Sequence, residues 1–359
     1  VNNLGSVLHA LGDLAGARKA YERALRIDEA AYGSEHPEVA TDVNNLGRVL
    51  KDQGDLAGAR AAFERALRID EAAYGPEHPK VATAVNNLGL VLHALGDLAG
   101  ARAAYERALR IDEAAYGPEH PDVATAVNNL GGVLHDLGDL AGARAAYERA
   151  LRIDEAAYGP EHPKVATAVN NLGSVLQDLG DLAGARAACE RALRIDEAAY
   201  GPEHPKVATR VNNLGRVLHA LGDLAGARAA FERALHILEK TLPPEHPYIA
   251  STINNLGSVL HALGDLAGAR KAYERALRID EAAYGPEHPE VARDVNNLGS
   301  VLQDLGDLAG ARAACERALR IDEAAYGPEH PKVATRVNNL GRVLHALGDL
   351  AGARAAFER

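Results

Sequence analysis

Histidine, cysteine and aspartate are the residues of this chain whose type and spacing bear most directly on chemistry. Fifteen histidines occur, and most of them stand either in an EHP segment or at one site a few residues after NNLG. The EHP histidines, such as His78 and His120, return only every 42 residues. Copies stacked as packed helices lie about 8–10 Å apart, too far for one zinc ion to draw ligands from two of them. They read as capping or loop-packing residues, and no metal is expected. Cys189 and Cys315 stand three copies apart, beyond the roughly 7 Å Cα separation of a disulfide, and no reactive Cys-His arrangement accompanies them. Free thiols buried in a core, in a reducing compartment, are expected. Asp28, Asp70, Asp112, Asp154, Asp196, Asp280 and Asp322 recur on an otherwise apolar helix face. Buried carboxylates need partners, so salt bridges or helix ends open to water are expected there rather than acid–base chemistry. With no nucleophile paired to a base and no GxxxxGK[ST] loop, the chain reads as non-enzymatic and without a cofactor.

Bulk composition narrows the partners. Of 359 residues, 39 are Lys or Arg and 50 are Asp or Glu, a net charge of −11. A nucleic acid or an anionic lipid surface is therefore an unfavourable partner. No apolar run reaches the ~18 residues that span a membrane, and a cytoplasmic address is expected. The chain contains no Met, and both its ends cut through a repeat, which reads as one solenoid, 1–359, taken from a longer protein.

The elements that must carry these residues follow from the period. VNNLG or INNLG opens units at 1, 43, 85, 127, 169, 211, 253, 295 and 337, which makes eight full 42-residue units and a partial one. Residues 169 to 233 are repeated letter for letter at 295 to 359, a mark of recent duplication. Within a unit, Pro79 suits a first helical turn, and Val81, Ala82, Val85, Leu88, Val91, Leu92 and Leu95 follow at helical spacing. Gly96 predicts the stop and Asp97 the cap of a second helix, whose apolar arc runs from Leu98 through Ala101, Tyr105, Ala108 and Ile111 to Tyr116. One such hairpin cannot bury both stripes alone, so the units must stack. The fold class is all-α, a solenoid of helix-turn-helix units.

Val43, Leu46, Gly47, Leu50, Ala59, Phe63 and Ala66 stand in the order and spacing of the tetratricopeptide signature, and the whole chain resembles that family. The longer unit, with NNLG and GPEHPxVA, is similar to the repeats of kinesin light chains. The resemblance implies a right-handed superhelix whose first helices line a concave groove that binds peptides, and no catalysis.

Candidate contacts sit on the polar face of the first helices. They are the asparagine pairs Asn44-Asn45, Asn86-Asn87, Asn128-Asn129, Asn170-Asn171, Asn212-Asn213 and Asn254-Asn255, with the variable sites Arg48, Lys51, His93, His135, Arg216 and His219. Asn is a poor helix former, so each pair needs compensation: its amides either serve a peptide backbone or bond to the neighbouring unit. Tyr248, an aromatic where other units carry Lys, Glu or Asp, is added as an exposed interface residue. Local basic spots, Arg48 with Lys51, Arg210 with Arg216 and Arg336 with Arg342, favour acidic segments of a protein or peptide partner. The function expected is a protein-interaction scaffold. The alternatives are a spacer, an array that self-associates end to end through uncapped repeats, or the sensor segment of a larger signal-transduction NTPase.

Overall fold

The computed structural model describes residues 1–359. Its contacts divide the chain into two segments, Val1–Gly180 and Asp181–Arg359, each described by itself. The first holds α1 (Asn2–Ala10), α2 (Leu14–Tyr32), α3 (Pro37–Asp52), α4 (Leu56–Tyr74), α5 (Pro79–Ala94), α6 (Leu98–Tyr116), α7 (Pro121–Asp136), α8 (Leu140–Tyr158) and α9 (Pro163–Asp178). The second holds α10 (Leu182–Tyr200), α11 (Pro205–Ala220), α12 (Leu224–Thr241), α13 (Pro247–Ala262), α14 (Leu266–Tyr284), α15 (Pro289–Asp304), α16 (Leu308–Tyr326), α17 (Pro331–Ala346) and α18 (Leu350–Phe357). Odd-numbered helices carry NNLG and are called A helices; even-numbered ones are B helices. There is no strand, and no helix is long and apolar enough to cross a membrane.

Helix boundaries have local causes. Pro79 occupies the first turn of α5, where its missing N–H is no loss. His78 caps that helix, its Nδ1 accepting from the Lys80 N–H at 3.2 Å, so the EHP histidine is a capping residue. Asp97 caps α6 by accepting from the Gly100 N–H at 2.9 Å. Between the two helices Gly96 takes φ +81°, a left-handed conformation open to glycine at small cost.

The A and B helices of a hairpin approach closely because Gly89 of α5 lies against the Tyr105 ring of α6; a Cβ on Gly89 would stand 2.7 Å from it. The apolar stripes then need neighbours. Val81, Ala82 and Val85 of α5 join Ala108 and Ile111 of α6, and Leu67 of the preceding B helix packs against them. Further along, Leu92, Ala101 and Tyr105 close over Val133 of the following A helix. The core of this internal hairpin is thus completed from both sides, which is the physical basis of an α-solenoid. In the second segment Leu238 stands where other repeats have Asp, and Val211, Phe231, Leu238, Ile249 and Ile253 merge into one larger cluster.

Two expected core residues lie outside. Leu95 is 44% exposed because α5 ends at Ala94 and Leu95 is only its cap. Tyr116 is 45% exposed and stacks instead on His120, with ring centroids 4.6 Å apart.

Candidate protein-interaction surface

Three ladders of polar side chains run from repeat to repeat. Along the A helices, the second asparagine of most pairs donates to the first asparagine of the preceding repeat, the exception at the start being Asn2, whose amide oxygen has no partner and whose NH2 donates to Asp42. Asn87 Nδ2 donates to Asn44 Oδ1 at 2.9 Å, Asn129 to Asn86 at 3.0 Å and Asn171 to Asn128 at 3.1 Å. In the second segment Asn255 donates to Asn212 at 3.2 Å and Asn297 to Asn254 at 3.0 Å. The compensation these mid-helix amides require is therefore a bond across the repeat boundary. Each such bond uses one half of each amide: the Asn87 carbonyl and the Asn44 NH2 are left over.

A second ladder lies at the A-helix C-termini. His93 pairs with Asp136 at 2.5 Å, His135 with Asp178 at 2.6 Å, and His9 and His261 meet Asp52 and Asp304 in the same way. The third joins B helices, where Arg65, Arg107 and Arg149 each reach a glutamate of the preceding repeat at 2.6 Å.

Other expected contact residues are placed as follows. Arg48 and Arg216 are exposed. Lys51 is half-buried, 3.3 Å from Asp52. His219 is half-buried, and Ala262 takes the place that Asp136 holds for His93. Asn170, Asn212 and Asn254 are buried, while Asn45, Asn213 and the rest of the pairs are half-buried. Tyr248 departs from expectation. It is not an exposed aromatic but packs against the cluster around Ile249 and Leu238, because the apolar Leu238 beneath it accepts a ring where Asp would not.

The recurrent Asp of the B helix looks across to a residue of the following A helix, fourteen positions on; Arg210 and Arg336, expected in basic spots open to a ligand, are at this place and are spent on that Asp instead. Asp196 bonds Arg210 Nε at 2.7 Å and Asp322 bonds Arg336 Nε at 2.8 Å, both in nearly dry surroundings. Asp70, Asp112 and Asp154 meet Ala84, Ala126 and Ala168 instead. Burial pushes the Asp112 carboxyl up to about 6, the neighbouring Asp122 adds to the rise and His120 opposes it. The Cys189 and Cys315 thiols, free and buried, are pushed up to about 11 by burial. No group of three or more His, Cys, Asp and Glu is arranged to hold a metal.

Comparison with known proteins agrees with this architecture. The Tetratricopeptide repeat family model matches seven stretches, 1–72, 42–114, 80–156, 122–174, 164–240, 248–298 and 292–359, which overlap except between 240 and 248. The chain belongs to the tetratricopeptide repeat family. Repeats of this family serve as protein-interaction scaffolds. No curated protein matches the chain. Among solved structures, BtubC (BKLC) from P. vanneervenii is 26% identical with a TM-score of 0.54, covering 64% of this chain and 92% of that one. A Podosopora anserina putative kinesin light chain with nearly identical TPR-like repeats is 22% identical, TM-score 0.51, over 57% of this chain and 97% of its own. The apo form of RapI is 16% identical, TM-score 0.60, over 77% and 95%. In fold, these tetratricopeptide repeats are of the kinesin light chain-like type.

Proposed function

We propose that this tetratricopeptide array is a non-enzymatic scaffold that binds an extended peptide along the half-buried polar row of its A helices. The observation that carries the reading is the half-used asparagine ladder. In the repeats that follow with Ala84 or Ala126, Asn44 and Asn86 accept a bond from the next repeat and keep an NH2 to donate. Asn87 and Asn129 donate and keep a carbonyl to accept. A row of donors and acceptors at one repeat spacing matches the needs of a peptide backbone, which must replace its lost bonds to water. Exposed Arg48 and Arg216 offer acidic residues of the ligand an attachment in their own repeats.

The test is a screen of the full chain against an extended-peptide library, with Asn87→Ala combined with Asn129→Ala as the control. Sequence-selective binding that falls at least tenfold in the double variant, beyond what its loss of stability explains, supports the reading. Binding that the double variant leaves intact, or no binding at all, turns the reading toward a spacer whose activity depends on repeat number alone.

A further inference from the structure

Two cavities occupy equivalent places in the solenoid and differ in charge, not in size. One lies between α5 and α7 over the end of α6. It has a volume of about 190 Å³ and is lined by Thr83, Asn86, Asp112, Tyr116, Asp122 and Ala126 among others. The other, about 180 Å³, lies between α15 and α17 over the end of α16 and is lined by Glu290, Arg293, Asp322, Tyr326, Lys332 and Arg336.

The second cavity is self-neutralised. Arg336 Nε bonds Asp322 at 2.8 Å. Lys332 Nζ bonds the Tyr326 hydroxyl at 3.2 Å and lies 4.7 Å from the centre of its ring. Arg293 stands on the wall as a third cation. The first cavity has lost all three. Ala126 replaces the arginine, Asp122 replaces the lysine, and Thr83 replaces the wall arginine. Asp112 makes no ion pair, and Tyr116 keeps its stack on His120 but carries no cation. The nearby Lys80 does not compensate, because its ammonium is held on Tyr74 of the preceding repeat at 2.8 Å. Two carboxylates, Asp122 with only the His120 ring 3.6 Å away, and an open aromatic face are left where the same scaffold elsewhere holds a guanidinium and an ammonium.

We propose that this cavity receives an arginine side chain of the bound polypeptide, its guanidinium on Asp112 with Asp122 and the Tyr116 ring beside it. Arginine is favoured over lysine because the chain's own template at this carboxylate, Arg210 on Asp196 and Arg336 on Asp322, is a guanidinium, whose planar fork suits a carboxylate. The ring adds a cation–π contact. A polypeptide is the source because the cavity opens beside Thr83 and Asn86, on the polar row where the scaffold reading places the peptide backbone. The inference rests on that reading and assigns one side chain of its ligand.

The experiment uses the full chain and three degenerate peptide libraries that differ only in one fixed residue: arginine, its neutral isostere citrulline, or glutamate. Two variants accompany the wild type. Ala126→Arg with Asp122→Lys installs the cations found around Asp322, and Asp112→Leu copies Leu238; both use residues that this scaffold already tolerates at the equivalent places. The expected result is retention on the arginine library at least tenfold above the citrulline one, lost in both variants with helical content unchanged. Equal retention on arginine and citrulline overturns the inference, as does arginine-selective binding that survives both variants. Retention on the glutamate library alone overturns it while leaving the scaffold reading standing. No retention on any library overturns both.

Discussion

His93 Nε2 of one A helix lies 2.5 Å from Asp136 Oδ2 of the next. The relation follows a rule within the chain: Asp52, Asp136, Asp178 and Asp304 end their A helices, and each faces a histidine of the preceding repeat. Where the preceding residue is Lys51 or Gln303, the facing residue is Ala94 or Ala346, and His219 faces Ala262, so the Asp occurs only opposite a histidine although a histidine can stand without it. The pair is therefore a matched contact between repeats. Both partners are partly open to water, so its worth is that of a surface pair. A double-mutant cycle with His93→Gln and Asp136→Ala should give a coupling of about 0.2–1 kcal/mol near neutral pH, diminished by salt. Urea unfolding of the four proteins measures it; a coupling of several kcal/mol would contradict this account.

The glycine after each NNL should be intolerant in proportion to the ring opposite it. Gly89→Ala drives a Cβ to 2.7 Å from Tyr105, and relieving that overlap within a packed hairpin should cost about 1–3 kcal/mol. In the Cys315 repeat the same change at Gly299 meets Cys315 Sγ at 3.3 Å and the Ala314 Cβ at 3.2 Å. Gly299→Ala should therefore cost less than Gly89→Ala. Equal losses in unfolding midpoint would show that the ring does not set the spacing.

The repeat period, the hairpins and their caps were legible in the sequence because each rests on local chemistry: Pro79 at a first turn, Gly96 at a reversal, Asp97 at an N-cap. The asparagine ladder was one of two alternatives the mid-helix amides left open, but the histidine and arginine ladders were not legible, since their members lie 43 and 36 residues apart and a single unit shows no partner for His93 or Arg107. The signal was present in the differences between units, for Asp at the end of an A helix occurs only after a histidine in the unit before. Tyr248 misled for the same reason. It was judged by the charged residues at the equivalent place of other units, whereas Leu238 of the preceding helix decides that it is covered.

The two cysteines offer a readout of opening. Burial raises both thiols to about 11, and each sits 1–2% exposed in its core. The thiolate is the reactive species, so neither should be labelled by a thiol reagent at pH 8 in the folded chain, and both should be labelled in denaturant. Labelling of either Cys189 or Cys315 at the rate of a free thiol under native conditions would refute their burial.

Asp294 should make stability depend on pH. It is fully buried and accepts the Asn254 amide, while Arg293 lies 3.2 Å from it, 3.4 Å from Asp280 and 2.5 Å from Glu290. One guanidinium thus serves three carboxyl groups. Burial raises the Asp294 carboxyl to about 8, with Asp280 adding to the rise against the pull of Arg293. Its folded-state value lies above the unfolded value of 3.8. The stabilising proton is therefore fully in place below about pH 4, and its contribution declines as pH rises and is lost by passage through about 8. Asp294→Ala reproduces the pairing of Asp70 with Ala84 found in another repeat. Urea midpoints at pH 5, 7 and 9 should fall with pH more steeply in the wild type than in this variant, by up to about 1.4 kcal/mol per pH unit. Identical slopes would mean that Asp294 is ionised throughout, held by Arg293 alone.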